Sequence, residues 1–248
     1  DIDIFEVKDL KGAIWHLRGF QLIHKTDSLE NYKLETKPLV DISEIKGQAH
    51  AKKALEISAA GGHNLLLYGP PGAGKTMLAK ALSGILPKLS FEESLEVTKV
   101  YSVSGLLKDK NVFLNNRPVR SPHHTISYSA LIGGGIYPRP GEISLAHNGV
   151  LFLDEFPEFS NQALESLRQP LEDKIVTISR VNASLTFPAN FVLVAAMNPC
   201  RCGYKDDPTN KCKCSVVEIR NYHKKLSGPI VDRIDLQVHV PKVDNSAL

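Results

Sequence analysis

The sequence predicts an α/β fold, a three-layer α-β-α sandwich with a mostly parallel sheet. Three observations predict it. The runs 64–68, 150–153 and 191–197 are short, apolar and read as buried strands. Each leads into polar residues: a glycine-rich loop, then Asp154-Glu155, then Asn198. Stretches with helix start and stop signals lie between them, and parallel strands need such crossovers. An open sheet of this kind gathers ligands beyond the carboxyl ends of its strands. The three polar ends are therefore the first candidates for chemistry.

The first end is Gly69-Pro70-Pro71-Gly72-Ala73-Gly74-Lys75-Thr76, which fits G-x-x-x-x-G-K-[ST], a phosphate-binding loop. Its glycines let backbone N–H groups turn onto phosphate oxygens, and the following helix aims its positive end at the same anion. In this pattern Lys75 reaches the β- and γ-phosphates and the Thr76 hydroxyl holds Mg²⁺. At the second end, Asp154 is placed to bind Mg²⁺ through water and Glu155 to polarise an attacking water. Carboxylates suit the task because Mg²⁺ prefers hard oxygen ligands. Asn198 sits at the third end. The expected cofactors are ATP and Mg²⁺.

The bulk numbers bound this reading. A chain of 248 residues holds one large domain, or one and a half. The net charge of +3 permits nucleic-acid binding without arguing for it. No apolar run is long enough to span a membrane. The start, Asp1-Ile2-Asp3-Ile4, is acidic, lacks the shape of a signal peptide and lacks an initiator Met. A cytoplasmic fragment of a longer protein is expected.

In chain order, residues 1–26 hold one helix, capped by Asp9, with Leu10, Ile14 and Leu17 on one face and Gly19 at its end. Trp15 lies beside that face and is read as a packing residue. Residues 27–38 read as a linker. A helix is expected from Ala49 to about Ala60, stopped by Gly61-Gly62. Another follows the glycine loop to about Leu86, where Pro87 ends it. Ser90 and Glu93 have capping-box spacing for a helix to about Tyr101. One short strand is expected near Val119. His123 and His124 are adjacent and read as structural histidines rather than metal ligands. Helical pieces at 128–132 and 142–147 are split by Gly133-Gly134-Gly135 and by Pro138–Gly141, which reads as one helix broken by an inserted loop or hairpin.

Ser160 caps a helix from Asn161 to about Asp173, with a kink expected at Pro170. Runs 175–179 and 184–187 flank Arg180-Val181-Asn182-Ala183 and predict a hairpin. Ser215 and Glu218 form a second capping box, for a helix ending near Leu226. A short helix over Pro229–Asp232, then Arg233, then a strand over Leu236–Val240 complete the pattern. All four cysteines fall in one stretch, as Cys200-x-Cys202 and Cys212-x-Cys214. They are candidate ligands of a structural Zn²⁺; disulfides and four free thiols are the alternatives.

Several longer strings carry a resemblance. They are Gly69–Thr76, Pro-Gly-Glu-Ile-Ser-Leu-Ala-His-Asn-Gly at 140–149, Leu-Phe-Leu-Asp-Glu at 151–155 and Leu-Arg-Gln-Pro-Leu-Glu-Asp at 167–173. Ala-Ala-Met-Asn-Pro-Cys at 195–200 and Leu-Ser-Gly-Pro-Ile-Val-Asp-Arg-Ile-Asp at 226–235 complete the set. Over about residues 41–243 the chain resembles the magnesium-chelatase-like AAA+ ATPases of the ComM/YifB family, which are P-loop NTPases. The resemblance implies a ring-forming motor, a hexamer assembled with nucleotide, related to magnesium chelatase and to replicative helicases. It implies a DNA helicase acting in branch migration during natural transformation and recombination. A chelatase-type or protein-remodelling ATPase acting on a protein partner is the alternative.

By the same resemblance Asn198 is the sensor of the γ-phosphate, and Arg233 is an arginine finger offered to the neighbouring subunit. The 127–149 stretch is the helix-2 insert. The 175–187 hairpin is the pre-sensor hairpin, where Arg180 is a candidate DNA contact. Residues 1–40 are then the remnant of a preceding Lon-protease-like domain plus linker, 41–243 the ATPase core, and 244–248 the start of a linker to a helical lid. A fragment of this extent is expected to bind ATP but to turn it over poorly.

Overall fold

A computed structural model describes residues 3–25, 40–107, 113–135, 138–180, 183–205, 211–226 and 228–242, with the backbone alone at 180 and 183. The tip of the 175–188 hairpin and the whole 27–38 stretch lie outside these residues, as do 243–248. The chain divides into two compact units, 1–35 and 36–248. In the first, helix α1 (Leu10–Leu17) starts at Asp9, whose side chain accepts from the Gly12 amide at 2.7 Å. Trp15 is not buried in a core: it is 39% exposed, with the Lys11 ammonium 4.4 Å from its ring centre. An eight-residue helix with no buried residue has no interior to offer it.

The second unit is built on five parallel strands: β1 (Leu65–Tyr68), β2 (Val119–Arg120), β5 (Val150–Leu153), β8 (Val192–Met197) and β9 (Leu236–His239). Their order across the sheet is β2-β5-β8-β1-β9. All six residues of the central strand β8 are buried, which is why its sequence is an unbroken apolar run. Successive side chains alternate between two cores. Leu65, Leu67, Val150, Phe152, Val194 and Ala196 face helices α2 (Ala49–Gly61) and α3 (Lys75–Ile85). Leu66, Leu151, Leu153, Leu193, Ala195 and Met197 face α5 (Tyr128–Ile132), α6 (Glu142–Leu145), α7 (Asn161–Glu165) and α8 (Arg168–Asp173). Two apolar cores on opposite faces of one sheet make the three layers.

Local signals explain the element ends. Helix α2 closes on Gly62 in the left-handed region. Helix α3 ends at Ile85 because Leu86, before Pro87, is pushed to an extended conformation. Helix α4 (Phe91–Ser104) begins with the full Ser90–Glu93 capping box and runs on to Gly105. The insert is a short antiparallel pair, β3 (Gly133–Gly134) with β4 (Arg139–Pro140), between α5 and α6. The expected kinked helix over 161–173 is instead two helices, α7 and α8. Pro170 falls in the first turn of α8, where a missing N–H costs nothing, and the chain breaks upstream at Ser166-Leu167.

Strands β6 (Ile175–Arg180) and β7 (Ala183–Pro188) form the antiparallel hairpin. Val176 and Ile178 join the core, while Thr177, Ser179, Ser184 and Thr186 line the opposite face. Helix α9 (Val216–Lys224), opened by the Ser215–Glu218 box, and α10 (Gly228–Val231) lead back to β9.

Asn64, just before β1, ties three strands together. Its amide nitrogen donates to the Arg233 carbonyl at 2.8 Å and its side-chain oxygen accepts from the Leu193 amide at 2.9 Å. Its own backbone N–H donates to Asp235 at 2.8 Å. Asn64→Ala leaves a buried donor, the Leu193 amide, and a part-buried acceptor, the Arg233 carbonyl, without partners, which costs roughly 2–4 kcal/mol. Urea unfolding checks this; a loss below about 1 kcal/mol would show that water replaces the amide.

Candidate active site

The loop Gly69–Thr76 leaves the carboxyl end of β1 and enters α3. Gly72 and Gly74 have φ of 78° and 90°, values a side chain disfavours, and Gly74 directly precedes the helix. Lys75 is folded back over the loop. Its ammonium donates to the carbonyls of Gly69 and Pro70 at 2.8 and 2.9 Å and to Asn198 Oδ1 at 3.1 Å. Burial holds the Lys75 ammonium below its ordinary pKa, and the charge of Asp154 acts the other way. The side chains of Lys75 and Asn198, 123 positions apart, meet because β1 and β8 are neighbours.

Thr76 Oγ1 donates to Asp154 Oδ2 at 3.1 Å. Asp154 follows β5, and its other oxygen accepts from the Glu155 amide at 2.9 Å. A hydroxyl and a carboxylate oxygen held together beside a phosphate loop suit Mg²⁺, which binds through few protein oxygens and keeps its waters. Glu155 stands in a left-handed conformation, φ 52°, uncommon for this residue type. Its carboxylate lies 2.9 Å from His124 Nδ1. Lys75, Thr76, Asp154, Glu155 and Asn198 thus gather at the carboxyl ends of β1, β5 and β8.

Arg233 does not join them. Leu236 of β9 pairs with Leu65 at the start of β1. The arginine therefore sits at the opposite end of a strand about 13 Å long. Its guanidinium contacts Glu172 and the Pro229 carbonyl. The four cysteines are all free, and their sulfurs lie within 4.8 Å of one another. Backbone amides of Tyr204 and Lys213 hold the Cys202 thiol down, to about 6. The side chain of Arg180 is outside the described residues.

An open groove of about 680 Å³ is lined among others by Gln48, His50, Gln237 and His239. Gln48 joins groove and loop: its amide donates to the carbonyls of Ala73 and Pro241 at 3.2 and 2.6 Å. No helix among the described residues is long and apolar enough to cross a membrane.

The family described as magnesium chelatase, subunit ChlI, matches residues 41–248. The chain is 51% identical over 214 residues to the competence protein ComM of Haemophilus influenzae, covering 86% of this chain and 41% of that protein. It is 50% identical over 201 residues to YifB of Escherichia coli, covering 81% and 39%. The chain belongs to the magnesium-chelatase-like family of ComM and YifB. It spans about two fifths of the length of these relatives. The solved structure of NtrX from Brucella abortus in complex with ATP matches with a TM-score of 0.51 at 16% identity, over 80% of this chain and 37% of that one. That likeness is one of fold, and it agrees with the α/β P-loop NTPase architecture of AAA+ type seen here.

Two residues near this site carried no usable signal in the sequence. His124 was expected to be structural, and its ring is indeed partnered, but the partner is Glu155. Gln48 adopts φ 55°, and nothing in its neighbourhood marks it as the residue that clips the loop. Lys75→Ala removes the one charged group bonded to both loop carbonyls and to Asn198. Binding of a fluorescent ATP analogue is expected to weaken roughly 10- to 100-fold. An unchanged affinity would show that the loop is not the phosphate cradle.

Proposed function

We propose that this chain is the ATP-binding and ATP-hydrolysing core of a ring-forming motor. The convergence of Lys75, Thr76, Asp154, Glu155 and Asn198 on one end of the sheet carries this reading. The loop of Gly69, Pro70, Pro71, Gly72, Ala73 and Gly74 holds the phosphates with Lys75, while Thr76 and Asp154 hold Mg²⁺. Glu155 polarises the attacking water, and Asn198 senses the γ-phosphate. The groove beside Gln48 takes the base and ribose, because Gln48 lines it and bonds to the Ala73 carbonyl of the loop. With Glu155→Gln, nucleotide binding should persist while phosphate release falls roughly 10²- to 10⁴-fold, the worth of a general base. Turnover within threefold of the unsubstituted protein would reduce the site to a nucleotide-gated binding module.

The site is read as half of a catalytic unit. Arg233 points away from its own loop, so it serves a neighbouring copy's ATP once it exchanges Glu172 for a phosphate. Fingers of this kind are worth roughly 10³–10⁵ in rate. Arg233→Ala and Glu155→Gln should each be inactive alone. Mixed, they should regain part of the turnover, since a composite site can then pair one intact carboxylate with one intact arginine. A mixture no faster than either variant alone argues that Arg233 acts within its own chain.

The likeness to a competence protein supports DNA as the substrate, and a hexameric helicase that drives branch migration as the activity of the whole protein. The polar face of the 175–188 hairpin, with Arg180 at its tip, is the proposed DNA contact. DNA should stimulate ATP turnover by the full-length protein, with an affinity that falls steeply with salt. The family's own description favours a second reading, a chelatase-type motor on a protein partner. A salt-independent response, or none, to DNA would select it. The four cysteines enter the proposal as a structural zinc site in a cytoplasmic protein.

A further inference from the structure

We propose that Cys200, Cys202, Cys212 and Cys214 bind one Zn²⁺ as thiolates and that this ion braces the phosphate loop and Asn198, so that nucleotide affinity depends on zinc. The proposal rests on the zinc and nucleotide readings above and adds the link between them.

The donor set comes first. The sulfurs of Cys200 and Cys202 are 3.4 Å apart, those of Cys200 and Cys212 3.7 Å, and those of Cys202 and Cys212 3.6 Å. These spacings are far beyond the 2.05 Å of a disulfide. They match the edges of a tetrahedron with four Zn–S bonds of about 2.3 Å, whose sulfurs lie about 3.8 Å apart. Binding turns four thiols into thiolates and releases their protons. The resulting double negative charge falls in a stretch that also carries Arg201, Lys205, Lys211 and Lys213. The described parts of this stretch form no helix or strand, and only Cys200 among the ligands is buried. A metal supplies the order that a core does not.

The link to the nucleotide site runs through both ends of the stretch. Cys200 stands two positions after Asn198, the residue bonded to the Lys75 ammonium. The Gly203 amide closes a turn onto the Cys200 carbonyl at 2.9 Å. Gly203 has φ 85°, and a Cβ there would stand 2.8 Å from Pro71 Cδ of the phosphate loop. The turn after Cys202 therefore rests directly on that loop. At the far end Cys214 leads into the Ser215 cap of α9. Helix α9 returns to the same place: His223 Nε2 lies 3.0 Å from the Pro199 carbonyl. The described parts of the segment thus start two positions after Asn198, rest on Pro71 at Gly203, and lead through α9 back to Pro199.

Full-length protein from zinc-replete cells should contain one zinc per chain by mass spectrometry of the metal. A zinc-selective chelator, with Mg²⁺ kept in excess, should weaken binding of a fluorescent ATP analogue about tenfold, the effect of one lost positioning contact. Added ZnCl₂ should restore it. Gly203→Ala keeps all four thiols and should keep its zinc, yet weaken nucleotide binding by a similar factor. Lys75→Ala should bind nucleotide more weakly, as above, and keep its zinc. Zinc near zero in replete protein overturns the site. Zinc-free protein that remains folded by circular dichroism and binds nucleotide within twofold of the loaded form overturns the link. Zinc-loaded protein that binds no nucleotide overturns the reading of the phosphate loop, and the link falls with it.

Discussion

The structure depends on one buried cation. The Lys75 side chain, only 8% exposed, spans its own loop and reaches Asn198 on a neighbouring strand. An ammonium is held in such a place only when oxygens surround it. Two loop carbonyls and an amide oxygen do so here. The arrangement holds the ammonium in a preorganised position, where the proposed function has it meet a phosphate. It requires β1 and β8 to be adjacent and in register, so the sheet order is also a constraint on the chemistry.

The same sheet underlies the proposal that one chain holds half a site. Parallel strands put every carboxyl end on one edge, and the phosphate loop, Asp154 and Asn198 collect there. Arg233 precedes β9 and must lie on the other edge. A ring in which one copy's second edge faces the next copy's first would bring the two halves together. Assembly would then control hydrolysis with no further device. The Glu172 contact keeps the arginine occupied in the isolated chain.

Much of the fold was legible because its signals are local. The strands could be seen in runs of Leu, Val and Phe with polar ends, and the helices in caps such as Ser90 with Glu93 and Ser215 with Glu218. The loop was legible because only glycine suits the conformations at 72 and 74. Where the expectation failed, a nonlocal or positional effect prevailed. Pro170 kinks a helix only from its interior, and whether it lies inside depends on where the chain breaks upstream.

The sequence by itself determined the phosphate loop, the carboxylate pair and the layered α/β class, since each follows from residue type and spacing along a few turns or one strand. Tertiary structure alone decided which distant groups meet. Thr76 and Asp154 are 78 positions apart, Asn64 and Leu193 129. His124 finds Glu155, Gln48 clips Ala73, four sulfurs gather, and Gly203 rests on Pro71. The physical reason is that these contacts are set by strand order and by packing on two faces of one sheet. No local pattern encodes that order; it emerges only when both cores are buried at once.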